Sequence, residues 1–299
     1  MADPISILWI PATVGAAAAQ TARNAMQRHL TATLGTLGAT AVRFVYGFPF
    51  GLALLALASL VAGHAPPLPD AEALLWIAGG ALAQIVATAL TLAAMRLKSF
   101  ALAIAYTKAE PVLVALFGFV VLGERLSAFA FVAIVAATAG VIVMSGNPWR
   151  NGVDGRGTAL GVAAGAAFGL SAVCYRGGIL ALEEPAFFLA ATTALAWALA
   201  LQSALMIAWL RVREPETLPR LFAEWRKSLF AGAMGAFASG GWFCGFALAP
   251  AALVRTLGLI EVAFSLLVGR NVFKQSLAPR EAAGLALMLG GVAALLLFG

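Results

Sequence analysis

Seven ionisable side chains interrupt otherwise apolar stretches of the chain: Arg23, Arg43, Lys108, Glu110, Arg176, Arg255 and Glu261. Inside a bilayer each would cost about 2.5–3.5 kcal/mol on insertion scales, so each needs a reason. A carboxyl at depth offers two kinds of chemistry. It can hold a proton or an amine, or it can fasten neighbouring helices by hydrogen bonds without changing charge. Glu110 and Glu261 fit both readings, and the sequence leaves the two side by side. A guanidinium offers forked recognition of an anionic group such as a carboxylate. Arg43 and Arg255 lie deep in their segments and suit that role. Arg23 and Arg176 stand nearer segment ends, where a long side chain can instead snorkel to the interface. Lys108 is about 200° around a helix from Glu110, so these two do not line one face.

The walls of such a site would come from the larger polar and aromatic groups within apolar stretches: Gln20, Tyr46, Gln84, Tyr106, Tyr175, Trp197 and Trp242. Tyr106 lies one turn before Glu110 and shares its face. The candidate substrate-binding set is therefore Arg43, Tyr46, Tyr106, Glu110, Trp197, Trp242, Arg255 and Glu261. Aromatics near helix ends also serve as plain interface anchors. Pro111 removes a backbone donor and disfavours ordinary helix at Glu110, which makes it either a hinge or a packing kink. The corresponding later stretch has Val262 after its Glu, with Gly258 about one turn earlier as a second candidate hinge.

Other chemistries lack their residues. His29 and His64 are the only histidines, and both stand at or near polar breaks, so no Ser/His pair or His metal cluster is available in the apolar stretches. No enzyme activity, metal or cofactor is expected.

These residues must be held by membrane-spanning helices. Of 299 residues, 62% are hydrophobic and 11% charged, whereas soluble domains run near half apolar and a quarter charged. The net charge of +6 reflects basic loops rather than nucleic-acid binding. Cys174 and Cys244 both fall in apolar stretches and read as buried free thiols. The apolar N-terminus lacks a basic leading region and reads as the first span rather than a signal peptide.

A crossing needs about 20 mostly apolar residues. Ten segments qualify, near 5–26, 34–62, 71–96, 99–122, 127–146, 157–178, 185–210, 228–248, 251–272 and 280–298. Prolines and polar residues in His64–Asp70 break one boundary, and the turn-rich 146–155 another. Leu218, Leu221, Phe222 and Trp225 recur at helical spacing within the charged 211–227, which suggests a short amphipathic surface helix or a loop with a few apolar residues. The small-residue rows Gly161/Gly165/Gly169 and Gly232 to Gly241 permit close helix packing.

A shift of 151 residues places Glu110 on Glu261, Gly118 on Gly269, and Gly140-Val141 on Gly291-Val292. We read this as a duplication, residues 1–148 and 149–299, of five helices each. An odd number of crossings forces the second copy to enter from the opposite side, giving inverted repeats. The fold class expected is all-α integral membrane, with ten transmembrane helices in two inverted five-helix repeats. Basic residues concentrate after the odd-numbered spans, including Arg28, Arg96, Arg150, Arg211, Arg213 and Lys274. The positive-inside rule puts those loops in the cytoplasm and both termini outside.

Ten helices with a Glu in the fourth of each five resemble the EamA-type branch of the drug/metabolite transporter superfamily. The resemblance spans nearly the whole chain. It is most specific over Ala101-Leu-Ala-Ile-Ala-Tyr-Thr-Lys-Ala-Glu-Pro111, Gly123-Glu-Arg-Leu-Ser127 and Gly140. The second copy keeps Glu261 and Gly291 but reads Lys274-Gln-Ser-Leu277 where Gly-Glu-Arg-Leu is expected. The resemblance implies a secondary transporter of the inner membrane that exports small metabolites, with YddG-type amino-acid exporters as the subgroup expected. Partners would be a small-molecule substrate and membrane lipid, with the chain a monomer or weak homo-oligomer. Two rivals are an exporter of hydrophobic cations, and a lipid flippase or passive channel. The first span carries Gln20 and Arg23 but no acid, which disfavours a purely cationic substrate.

Overall fold

The computed structural model describes residues 4–97, 107, 110–145, 155–264, 266 and 278–298. Among these residues the backbone is helical with no strand. In chain order the helices are α1 (Trp9–Val45), α2 (Phe48–Ala62), α3 (Ala71–Leu97), α4 (Glu110–Leu122) and α5 (Ala128–Ser145). They continue as α6 (Gly155–Ala181), α7 (Phe187–Arg213), α8 (Thr217–Ala223), α9 (Trp225–Leu248), α10 (Ala251–Leu257) and α11 (Pro279–Phe298). Among the described residues six helical stretches are long and apolar enough to cross a membrane, and Glu110–Leu122 and Ala128–Met144 are shorter apolar helices. The chain is a multi-pass membrane protein. Exposed Leu57, Leu60, Val61, Phe119 and Val120 face outward as lipid-facing positions must.

The first two expected spans depart most from the sequence reading. No loop follows residue 26; helix runs on through the expected break and is interrupted only at Gly35, with φ 68° and ψ −177°. Twelve residues of continuous helix would cover about 18 Å, yet Gln27 Nε2 donates to the carbonyl of Ala39 at 2.8 Å. The two arms of α1 therefore fold back on each other about Gly35. Glycine alone reaches that positive φ without strain, so one residue replaces a polar loop. The second arm is interrupted again at Tyr46-Gly47 before α2 begins.

Local signals set the other boundaries. Asp70 Oδ1 accepts from the Ala73 N–H at 2.8 Å and caps α3. Ser127 Oγ accepts from Ala130 N at 3.0 Å at the start of α5, and Glu281 accepts from Ala278 N at 2.8 Å at the start of α11. A short helix occupies Thr217–Ala223, with Leu221 buried and Phe222 and Trp225 exposed.

Packing runs largely between the sequence halves. α1 lies along α9, α3 along α6, α4 against α10, and α5 along α11. Small residues make this possible. A Cβ on Gly80 would lie 2.7 Å from the Tyr175 ring, and one on Gly241 would lie 2.6 Å from the Ala12 carbonyl oxygen.

Candidate functional site

The cross-half packing brings one face of α1 into the centre. Gln20, Arg23, Asn24 and Gln27 fall at positions i, i+3, i+4 and i+7, a polar stripe that no lipid-facing helix would carry. All four are buried. The second arm adds Arg43, and α3 contributes Gln84, Thr88 and Thr91 from a similar stripe. From the other half come Phe168 and Tyr175 of α6, Trp242 of α9, Arg255 of α10 and Glu261.

Glu110 is 3% exposed and is gripped by Arg255. Arg255 Nη2 donates to Oε2 at 2.6 Å, and its Nε lies 2.5 Å from Oε1. The first contact is a charge-assisted hydrogen bond, while Oε1 is held by charge and proximity without hydrogen-bond geometry. The guanidinium of Arg255 also stacks on Trp242, 4.4 Å from the ring centroid. Trp242 Nε1 donates to Gln20 Oε1 at 3.0 Å, and Gln20 Nε2 donates to Glu261 Oε2 at 2.8 Å. Asn24 Nδ2 donates to Glu261 Oε1 at 3.0 Å, while Arg23 Nη2 donates to Asn24 Oδ1 at 2.7 Å. One continuous polar network thus runs from Arg23 through Glu261 and Trp242 to Glu110. The two acids are joined through it, although neither touches the other.

Arg43 stands apart from that network. It is 2% exposed, and its one hydrogen bond among the described residues is from Nη1 to Thr88 Oγ1 at 3.0 Å. Beside it, Gln84, Tyr175 and Gln202 form a buried cluster, with Gln202 Nε2 3.0 Å from both Gln84 Oε1 and the Tyr175 hydroxyl.

Two adjoining cavities lie among these groups, and Gln20, Arg43, Phe168 and Arg255 line both. Each offers about 20 Å³, enough for water but far below the roughly 300–1,000 Å³ of small-molecule sites. The conformation is constricted.

Arg43, Glu110, Trp242, Arg255 and Glu261 of the candidate set therefore converge. Trp197 does not: it is 43% exposed and lines neither cavity. Tyr46 also lines neither; its hydroxyl donates to the Leu221 carbonyl at 3.0 Å, tethering α8. Tyr106 lies outside the described residues. Pro111 is buried in α4 directly beside Glu110. Gly258 ends α10 and lets the Trp242 ring approach, with Cζ3 2.8 Å from where a Cβ would stand. Arg23 and Arg176 do not snorkel. Arg23 is 2% exposed, and Arg176 is bonded to Glu124 and the Phe246 carbonyl. Asn24, Gln27 and Thr88 were not singled out from sequence, although the i, i+3, i+4, i+7 stripe that carries the first two is readable there. Cys174 and Cys244 are free thiols.

An all-helical, multi-pass membrane protein with a buried charged site between its halves is the class these observations define. Residues 7–146 match the model of the EamA-like transporter family. A solved structure described only as "Crystal structure of protein" superposes with a TM-score of 0.65 at 21% identity, covering 97% of this chain and 99% of the other. At that identity the likeness is one of fold. No curated protein matches the chain.

Proposed function

We propose that the chain is a secondary transporter that exports small metabolites, amino acids including aromatic ones foremost, by alternating access between residues 1–148 and 149–299. The observation that carries this reading is the central constriction. Its lining holds buried groups of both signs and the Trp242 ring, drawn from both halves, around space too small for a solute. A zwitterion with an apolar side chain needs that mixture, and it can enter only if the halves separate.

The inverted repeat is supported by an exchange of contacts. A Cβ on Gly140 would strike Met288 N and Gly284 O, while one on Gly291 would strike Ala137 N and Ala133 O. Each member of one set lies 151 residues from its counterpart, which a two-fold between the halves requires. Basic loops after the odd spans support cytoplasmic placement of α8 and an outer placement of His64–Asp70.

A purely cationic substrate fits less well, because both acids are already engaged. Glu110 is held by Arg255, and both oxygens of Glu261 accept amide hydrogens. Purified protein in liposomes, loaded with labelled amino acids, tests the proposal. Saturable efflux of phenylalanine or a similar amino acid is expected. Movement of ethidium without any amino acid would replace it with the multidrug reading, and unsaturable leakage would replace it with a channel.

A further inference from the structure

The central site holds three arginines and two glutamates among the described residues, and the pairing is uneven. Arg255 is satisfied by Glu110. Arg23 is hydrogen-bonded to Asn24, which in turn donates to Glu261, and among the described residues its Nη1 has no hydrogen-bond partner although Arg23 is 2% exposed. Arg43, equally buried, has a single neutral acceptor in Thr88. The guanidiniums of Arg23 and Arg255 line the same cavity as Arg43 and repel it. Arg23 and Arg43 line the same cavity with Gln27, Thr88 and Thr91.

Two like charges kept in a low-dielectric site with donors to spare are costly unless an anion visits them. We propose that Arg43, assisted by Arg23 Nη1, is the anchor for a substrate carboxylate. This inference rests on the transporter reading and narrows it to solutes bearing a carboxylate. The hydroxyls of Thr88 and Thr91 already donate to the carbonyls of Gln84 and Ala87, so of these neighbours the guanidiniums have donors left for an anion. Glu110 and Glu261 line the same cavity and repel a second negative charge, which favours a monoanionic carboxylate over a phosphate. Arg255 is excluded as the anchor, because engaging it means releasing Glu110 unpaired.

The test is thermal unfolding of the full-length protein in detergent, with acid and amide matched in shape. Phenylalanine and 3-phenylpropionate should raise the melting temperature of the wild type, while phenylalaninamide, 3-phenylpropionamide and inorganic phosphate should not. Arg43→Gln should weaken the acids' apparent affinity at least tenfold, and Arg43→Lys should retain part of it. Because Arg43 has no counter-charge among the described residues, only Thr88 and the Phe44 ring beside it, Arg43→Gln without ligand should melt no lower than the wild type. A lower melting point would mark Arg43 as a structural fastener and overturn the proposal. So would acids that fail to bind, amides or phosphate that bind as well, or an Arg43→Gln protein with unchanged affinity. The acid–amide comparison on the wild type tests the carboxylate preference independently of the Arg43 variants. Binding of 3-phenylpropionate with no amino acid transported would keep the anchor and remove the amino-acid reading. Amino-acid transport with affinity indifferent to Arg43→Gln would do the reverse.

Discussion

Arg255 and Glu110, 145 residues apart in the chain, close a buried two-point ion pair between α10 and α4. The pair crosses the boundary between the sequence halves at the level of the central cavities. Its members sit on different elements, so it acts as a fastener whenever α4 and α10 are together.

Removing one member should therefore cost more than removing both. Glu110→Gln leaves a buried arginine without its counter-charge, at a cost of about 3–5 kcal/mol. The double variant Glu110→Gln with Arg255→Gln should recover much of this loss. Thermal unfolding in detergent reads both, and transport should fall in the single variant. Equal melting of single and wild-type proteins would show that the pair is not held in solution.

Glu261 should respond more mildly. Its oxygens accept from two neutral amides, Gln20 and Asn24. An amide in its place keeps one acceptor and faces a donor with the other, a loss of about 1–3 kcal/mol. Glu261→Gln should reduce transport while melting above Glu110→Gln; the opposite order would assign the heavier electrostatic load to the second acid.

The α5–α11 contact offers a test with an internal control. Gly291→Ala puts a methyl 2.5 Å from Ala137 N, a backbone atom that cannot turn aside, whereas nothing lies within 4 Å of a Cβ on Gly290. Gly291→Ala should destabilise by about 1–3 kcal/mol and Gly290→Ala by much less. Similar melting of the two would contradict the close approach.

Orientation can be read without knowing the solute. In a background with Cys174 and Cys244 replaced, Ala65→Cys and Glu216→Cys occupy exposed positions. An impermeant maleimide added to intact cells should label Ala65→Cys alone. Labelling of Glu216→Cys alone would reverse the charge-based topology.

Helical, membrane-spanning character was legible from sequence because it is local. Twenty apolar residues satisfy their own backbone in lipid whatever lies beside them, and caps such as Asp70 act within three residues. The candidate charges were legible for the same reason, since an ion in an apolar run is conspicuous by its cost. What one guanidinium does rather than another was not. Arg43 and Arg255 look alike in the sequence, but one is committed to Glu110 and the other is left with Thr88. Trp197 and Trp242 likewise differ only in which side of a helix meets the other half. Even the polar stripe from Gln20 to Gln27 gave no partner until α1 doubled back at Gly35 and lay along α9. Those outcomes depend on contacts between residues as far apart as Gln20 and Glu261. A side chain's own type and its near neighbours do not encode such contacts, so packing of the two halves alone decided them.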